Sequence, residues 1–267
     1  MFSLGIVSLL ILATMPQFPT FGARQETGFL NRTITIEKKV FKYQVYVPSN
    51  WNKRQRWPVI LFLHAAGERG DDGIIQTEVG IGTAVRRYTG RFPCVVVFPQ
   101  CRTGLWWTDP QMEAMALKAL AQAIKEFKGD PQRTYLTGIS MGGYGTWGIA
   151  ADYPGRFAAL APVCGGVRLP STLTTLKLNR ESVRLSEAPN PYKLVAQKVG
   201  KTPVWIFHGG ADNTVPVSES RRMAQALKDA GGEVTYTEYE RVGHNSWDRA
   251  YAESRLIPWI LSKRLGK

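Results

Sequence analysis

Gly138-Ile139-Ser140-Met141-Gly142 follows a short apolar, strand-like run at 134–137 and leads into a glycine-rich segment that continues as a helix. That order is what a serine nucleophile needs to stand exposed on a sharp strand-to-helix turn. A G-x-S-x-G match is a weak signal by itself, so the surrounding chain decides its meaning. Downstream, the apolar run 203–207 ends in His208-Gly209-Gly210-Ala211-Asp212, which puts a carboxylate just past a strand end. Later, the alternating run 234–239 ends in Arg241-Val242-Gly243-His244, which puts an imidazole in the loop after another strand. The chain order is therefore nucleophile, acid, base, one of the three orders in which such a trio occurs.

Each residue type in this trio answers a chemical need. A serine hydroxyl is a poor nucleophile at its own pKa, so Ser140 needs a base to take its proton as it attacks a carbonyl, and His244 is the candidate. Asp212 is the candidate group to fix the imidazole tautomer and stabilise the imidazolium. The tetrahedral intermediate needs donors aimed at its oxyanion, each worth about 2.7 to 4 kcal/mol of barrier. Met141, directly after the nucleophile, offers one amide. The loop His64-Ala65-Ala66-Gly67, after the apolar run 59–63, offers the other from Ala66, with Ala65 as the alternative. His64 and His208 sit at strand ends beside small residues and read as hydrogen-bonded structural groups, because one base suffices. His64, Trp106 and Trp107 are also candidates to line a substrate pocket. Trp147 and Trp247 read as packing. No His/Cys/carboxylate set has metal-ligand spacing and no glycine loop carries a phosphate-binding Lys, so no metal and no cofactor are expected.

Short apolar runs punctuate the chain at 59–63, 95–98, 135–137, 157–162, 204–207 and 234–239, separated by helical patterns. Such runs are buried on both faces and imply a mostly parallel central sheet flanked by helices, in one α/β domain. Segments 32–40 and 42–47 alternate apolar and polar residues and read as paired antiparallel strands at a sheet edge. Asp109 before Pro110 reads as an N-cap, Met112, Met115, Leu120, Ile124 and Phe127 form the stripe of the helix that follows, and Gly129 closes it. Ser218 is read as preceding another helix that ends at Gly231. Ligands of such sheets bind beyond the carboxyl ends of the strands, where Ser140, Asp212 and His244 all fall.

The chain has 267 residues, enough for one large core, and 34 Lys and Arg against 21 Asp and Glu give a formal net charge of +13. The basic residues are scattered, with a local concentration between Arg168 and Lys201, and no nucleic-acid module is present. Three cysteines cannot all pair: Cys94 and Cys101 flank a strand and are too far apart to bond, Cys101 with Cys164 is a possible bridge, and three semi-buried thiols are the alternative. The apolar stretch 2–14 reads as the core of a secretory signal, with residues 1–23 as leader and 24–267 as the catalytic domain; an N-terminal anchor and a buried strand are the alternatives.

Five segments together resemble the α/β-hydrolase serine carboxylesterases of the predicted-peptidase and dienelactone-hydrolase type, neighbours of secreted feruloyl and polyhydroxyalkanoate-type esterases. They are His64-Ala65-Ala66-Gly67-Glu68-Arg69-Gly70, Phe98-Pro99-Gln100-Cys101, 138–145, His208 to Asp212 with Val215-Pro216, and Gly243-His244-Asn245-Ser246-Trp247-Asp248. The resemblance implies Ser140, Asp212 and His244 as the triad of a secreted or periplasmic enzyme. Its substrate would be a small-molecule or polysaccharide-linked ester, short-chain or aromatic, with no nucleic acid and no stable membrane partner. Two departures stand out: Ala65 occupies a position more often Gly, and the stretch 168–200 is longer than a minimal member carries, as a small cap would be. A peptidase with the same triad and a binding protein on a hydrolase scaffold are the competing readings.

Overall fold

The computed structural model describes residues 26–170 and 180–266, so the expected leader at 1–23 and the segment 171–179 lie outside the described residues. Eight strands form one sheet: β1 (Gly28–Ile36), β2 (Lys39–Val47), β3 (Trp57–Leu63), β4 (Val95–Pro99), β5 (Gly129–Ile139), β6 (Ala159–Val163), β7 (Val204–Gly209) and β8 (Val234–Tyr239). Their order is β1-β2-β4-β3-β5-β6-β7-β8. β1 and β2 are antiparallel at one edge, and the six strands from β4 to β8 run parallel.

Burial on both faces explains why the central strands carry no polar alternation. Val59, Leu61 and Leu63 enter one core cluster, Ile60 and Phe62 the other, and all five are fully buried. The first cluster is closed by α2 (Pro110–Glu126), α3 (Met141–Asp152), α5 (Pro191–Val199) and α6 (Ser218–Asp229). The second is closed by α1 (Ile81–Arg87), α7 (Trp247–Ala252) and α8 (Leu256–Ser262). No helix among the described residues is long and apolar enough to cross a membrane.

Several boundaries differ from the sequence expectations, each for a local reason. β1 begins at Gly28, and the hairpin turns at Glu37 and Lys38, which both take positive φ, so Lys39 and Val40 belong to β2. β5 begins at Gly129, well before the apolar run, and its pairing with β3 jumps from Gly129 to Thr134. The bulge accommodates Pro131, which has no amide to give to a ladder. Asp109 does cap α2, accepting from the Gln111 amide at 2.8 Å. The helix closes at Phe127, however, with Lys128 in the left-handed position (φ 55°) that Gly129 was expected to take. Ser218 is the first residue of α6 and caps nothing.

The stretch 168–200 divides into two parts. Val195, Ala196 and Val199 of α5 are core residues, so that helix belongs to the body of the domain. The preceding α4 (Arg180–Glu187) is anchored through Leu185, a core residue buried beside Tyr144 and Trp147 of α3, while its Val183, Arg184 and Glu187 are exposed.

Candidate active site

Ser140 is the residue between β5 and α3, with φ 52° and ψ −116°, a strained conformation for a side chain other than glycine. The turn is held by the Ser140 amide donating to the Val163 carbonyl at 3.0 Å. It is possible only because neighbouring positions lack side chains: a Cβ at Gly142 would lie 1.9 Å from the Leu63 carbonyl oxygen. The strand-to-helix turn thus lifts the Ser140 side chain off the sheet, half-buried, at the carboxyl edge.

His244 and Asp212 meet it there. His244 Nε2 lies 2.8 Å from Ser140 Oγ, and His244 Nδ1 lies 2.7 Å from Asp212 Oδ2. A carboxylate only accepts, so Nδ1 carries the hydrogen and Nε2 presents its lone pair to the serine hydroxyl. The Asp212 side chain is itself fixed from both sides. Oδ1 accepts from the amides of Thr214 (2.8 Å) and Val215 (2.9 Å), while Oδ2 accepts from His244 and stands 3.2 Å from His208 Nε2. Burial pushes the Asp212 carboxyl up, but hydrogen bonds from His208, His244 and the two amides outweigh it and hold the group well below the usual carboxylate range.

His208 is more than the structural group expected of it. Its ring is fully buried, with Nε2 3.0 Å from the Val215 carbonyl oxygen and Nδ1 2.7 Å from Ser220 Oγ. A carbonyl oxygen only accepts, so Nε2–H is shared between Val215 O and Asp212 Oδ2. His208 therefore positions the acid from beneath. His208→Gln is expected to lower kcat about tenfold while KM stays near wild type, because a hydrogen bond to a charged group contributes about 1.5–3 kcal/mol. An unchanged kcat in steady-state ester hydrolysis would make the contact merely structural.

The loop after β3 is similarly pinned. His64 Nε2 accepts from the Cys101 amide at 2.9 Å, and His64 Nδ1 donates to the Ala65 carbonyl at 2.6 Å. Trp107 donates its indole N–H to the His64 carbonyl at 2.9 Å, and Arg69 donates to the Ala66 carbonyl at 2.9 Å. Burial lowers the His64 imidazole to about 4, so it is neutral across the working range. His64 and Trp107 have no exposed surface and cannot line a substrate pocket as expected; they brace the loop from below. Trp106 keeps a 9% exposed edge and stacks edge-on against Tyr144 at 5.7 Å between ring centroids. Ala66 opens a short 3-10 turn (Ala66–Glu68), and Met141 is the first residue of α3, so both amides belong to helix starts, where backbone donors lack intrahelical partners. Trp247 packs against the second core cluster, as expected, and its ring also stands edge-on to the His244 ring at 5.5 Å, supporting the imidazole.

The pattern of the prolyl oligopeptidase family matches residues 115–263, more than half of the chain and a span that holds Ser140, Asp212 and His244. The chain belongs to the prolyl oligopeptidase family. An "Uncharacterized secreted protein" of Arthroderma benhamiae is 25% identical over 251 residues, covering 85% of the chain and 26% of that protein. Poly(3-hydroxyalkanoate) depolymerase C of Paucimonas lemoignei is 29% identical over 168 residues, covering 55% of the chain and 41% of that protein. The chain thus spans well under half the length of these curated relatives. Among solved structures, a thermostable esterase superposes with a TM-score of 0.71 at 30% identity, covering 88% of this chain and 63% of the other. The fold is that of the α/β-hydrolases, as the sequence resemblance implied.

Two features of this prolyl oligopeptidase-family site lay beyond the sequence reading. Cys164, at φ 41° after β6, brings its thiol within 4.8 Å of ligand atoms of both Asp212 and His244. Asp212 and His244 are bonded to one another, and burial raises the Cys164 thiol to about 12. Cys94, Cys101 and Cys164 are all free and buried, which settles the cysteine alternatives against a Cys101–Cys164 bridge. Second, the buried Glu219 accepts from the Val167 amide (2.8 Å), the Arg168 amide (3.2 Å) and the Tyr192 hydroxyl (2.5 Å). It ties the loop after β6 to α5 and α6, and a Cβ at Gly166 would strike both Glu219 and the Tyr144 hydroxyl at 2.8 Å. The location of Cys164 after a strand on the active edge was the available signal for the first; nothing in the sequence pattern marked Glu219 among ordinary helix-surface acids.

Proposed function

We propose that this chain is a serine carboxylesterase that works through an acyl-enzyme. Ser140 attacks the ester carbonyl while His244 takes its proton; His244 then returns that proton to the leaving alcohol. Asp212 holds the imidazole and offsets its charge, and the amides of Met141 and Ala66 receive the oxyanion. Water, deprotonated by His244, releases the acid. The observation that carries this reading is the relay Ser140 Oγ–His244 Nε2–His244 Nδ1–Asp212 Oδ2, at 2.8 and 2.7 Å, on a positive-φ serine. The likenesses to an esterase structure and to a polyester depolymerase favour ester substrates, short-chain or aromatic and including those borne on polysaccharide. The likeness to a secreted protein favours export. In the same proposal α4, with residues 168–170, forms a small cap at the Tyr144 side.

A peptidase is the second reading, favoured by the family to which the chain belongs. Hydrolysis of p-nitrophenyl acetate to laurate, methyl ferulate, acetylated xylan and a peptide anilide separates the two. Ester turnover exceeding anilide turnover by orders of magnitude is the expected outcome, and a faster anilide would replace the esterase reading with the peptidase.

A further inference from the structure

A cluster of positive side chains among the described residues lies remote from the active edge. Lys53, Arg54 and Arg56, in the loop before β3, converge with Lys125 and Lys128 at the end of α2 around a groove of about 450 Å³. All five side chains are exposed, and none takes part in an ion pair among the described residues. The nearby acids are already engaged: Glu126 pairs with Arg32, and Asp130 with Arg133 and Arg264. Five cations around one concavity with no acid in its lining repel one another unless an anion lies between them.

The groove sits at the amino ends of β3 and β5, while Ser140 follows the carboxyl end of β5. Seven residues of β3 separate the two edges, on the order of 20 Å at about 3.3 Å per residue. A ligand here does not touch the reacting atoms, so the groove is an anchor and not a subsite of the relay.

We propose that this groove binds an acidic polysaccharide, a flexible chain bearing a carboxylate or sulfate on successive sugars. Its lining decides among polyanions. The nearby aromatic rings, Trp51, Trp57 and Phe127, are buried, leaving no platform on which the bases of a single-stranded nucleic acid would stack. The apolar lining is the part-buried Ile124, which offers no wedge for a bilayer. A concave groove rimmed by lysine and arginine suits repeated point anions on a thin chain, and the anchor holds the enzyme on a polymer with its serine edge free. The inference is independent of which bond Ser140 cleaves.

Binding of the intact protein to polygalacturonate tests it, against phosphatidylserine vesicles and a single-stranded oligonucleotide. Lys53→Glu/Arg54→Glu/Arg56→Glu is expected to weaken polygalacturonate binding at least tenfold, and Lys125→Gln/Lys128→Gln severalfold, with p-nitrophenyl ester turnover unchanged. Lys39→Glu/Lys228→Glu/Arg241→Glu, an equal charge change at exposed sites elsewhere, is expected to weaken it much less. Equal loss in that control reduces the effect to net charge and overturns the proposal. It is also overturned if wild type fails to bind polygalacturonate, if both groove variants bind like wild type, or if vesicles or the oligonucleotide bind more tightly.

Discussion

Ser140→Ala is expected to reduce kcat for p-nitrophenyl ester hydrolysis by about 10⁶-fold, the scale on which loss of a triad nucleophile abolishes covalent catalysis. Residual rate would come from the Met141 and Ala66 amides and from binding alone. Thermal stability should hardly change. The hydroxyl's hydrogen bond is to the half-buried His244, and alanine meets the same backbone strain at φ 52° that serine already bears. Equal thermal unfolding with turnover retained above trace levels would remove Ser140 from the mechanism.

Asp212→Asn carries the second largest expected effect, about 10⁴-fold in kcat. The Thr214 and Val215 amides require an oxygen at the Oδ1 position, so the new amide nitrogen must replace Oδ2. There it meets His244 Nδ1 and His208 Nε2, which both donate to a carboxylate. His244 then relieves the clash by moving its proton to Nε2, where it can no longer accept from Ser140. The same substitution has a signature in stability. The Asp212 carboxyl titrates lower in the folded chain than in the unfolded one, where a value of about 3.9 applies. Between those values the unfolded state binds the extra proton, so stability rises with pH there. The contribution is complete above about pH 5 and is lost as pH falls through about 4 toward the folded value. Chemical unfolding at a series of acidic pH values should therefore show a steeper loss for wild type than for Asp212→Asn. Parallel curves together with near-wild-type turnover would direct attention to Asp248 or Asp109 as the acid.

How far the sequence carried depended on whether a feature is local. The parallel sheet was legible because β3, β4, β6 and β7 are each buried on two faces and so appear as unbroken apolar runs. The relay was legible because Ser140 and Asp212 each follow a buried apolar run and His244 follows the alternating run of β8, and topology brings the carboxyl ends of β5, β7 and β8 to one edge. What escaped were features set by side-chain direction and unusual backbone. The Glu37-Lys38 turn carries neither Gly nor Asn, and the Asp130-Pro131 bulge has the look of a plain turn. His64 and Trp107 lie near the site in sequence but point beneath the loop, where the amide of Cys101 and the carbonyl of His64 need partners. His208, expected to be structural, reaches Asp212 because the chain folds back through Thr214 and Val215 to close around the carboxylate. The basic groove joins a loop and a helix end some seventy residues apart, which no run of charges along the chain displays.

The central claim is that His244 and Asp212 make Ser140 the one activated nucleophile of the chain. Its most direct test is covalent: reaction with a fluorophosphonate, followed by mass spectrometry of the intact protein and of its peptides. The account predicts a single adduct, carried by Ser140, whose formation parallels loss of ester turnover, is absent in Ser140→Ala and is slowed by orders of magnitude in Asp212→Asn. An adduct on another residue, or ester turnover that survives complete labelling of Ser140, would contradict it.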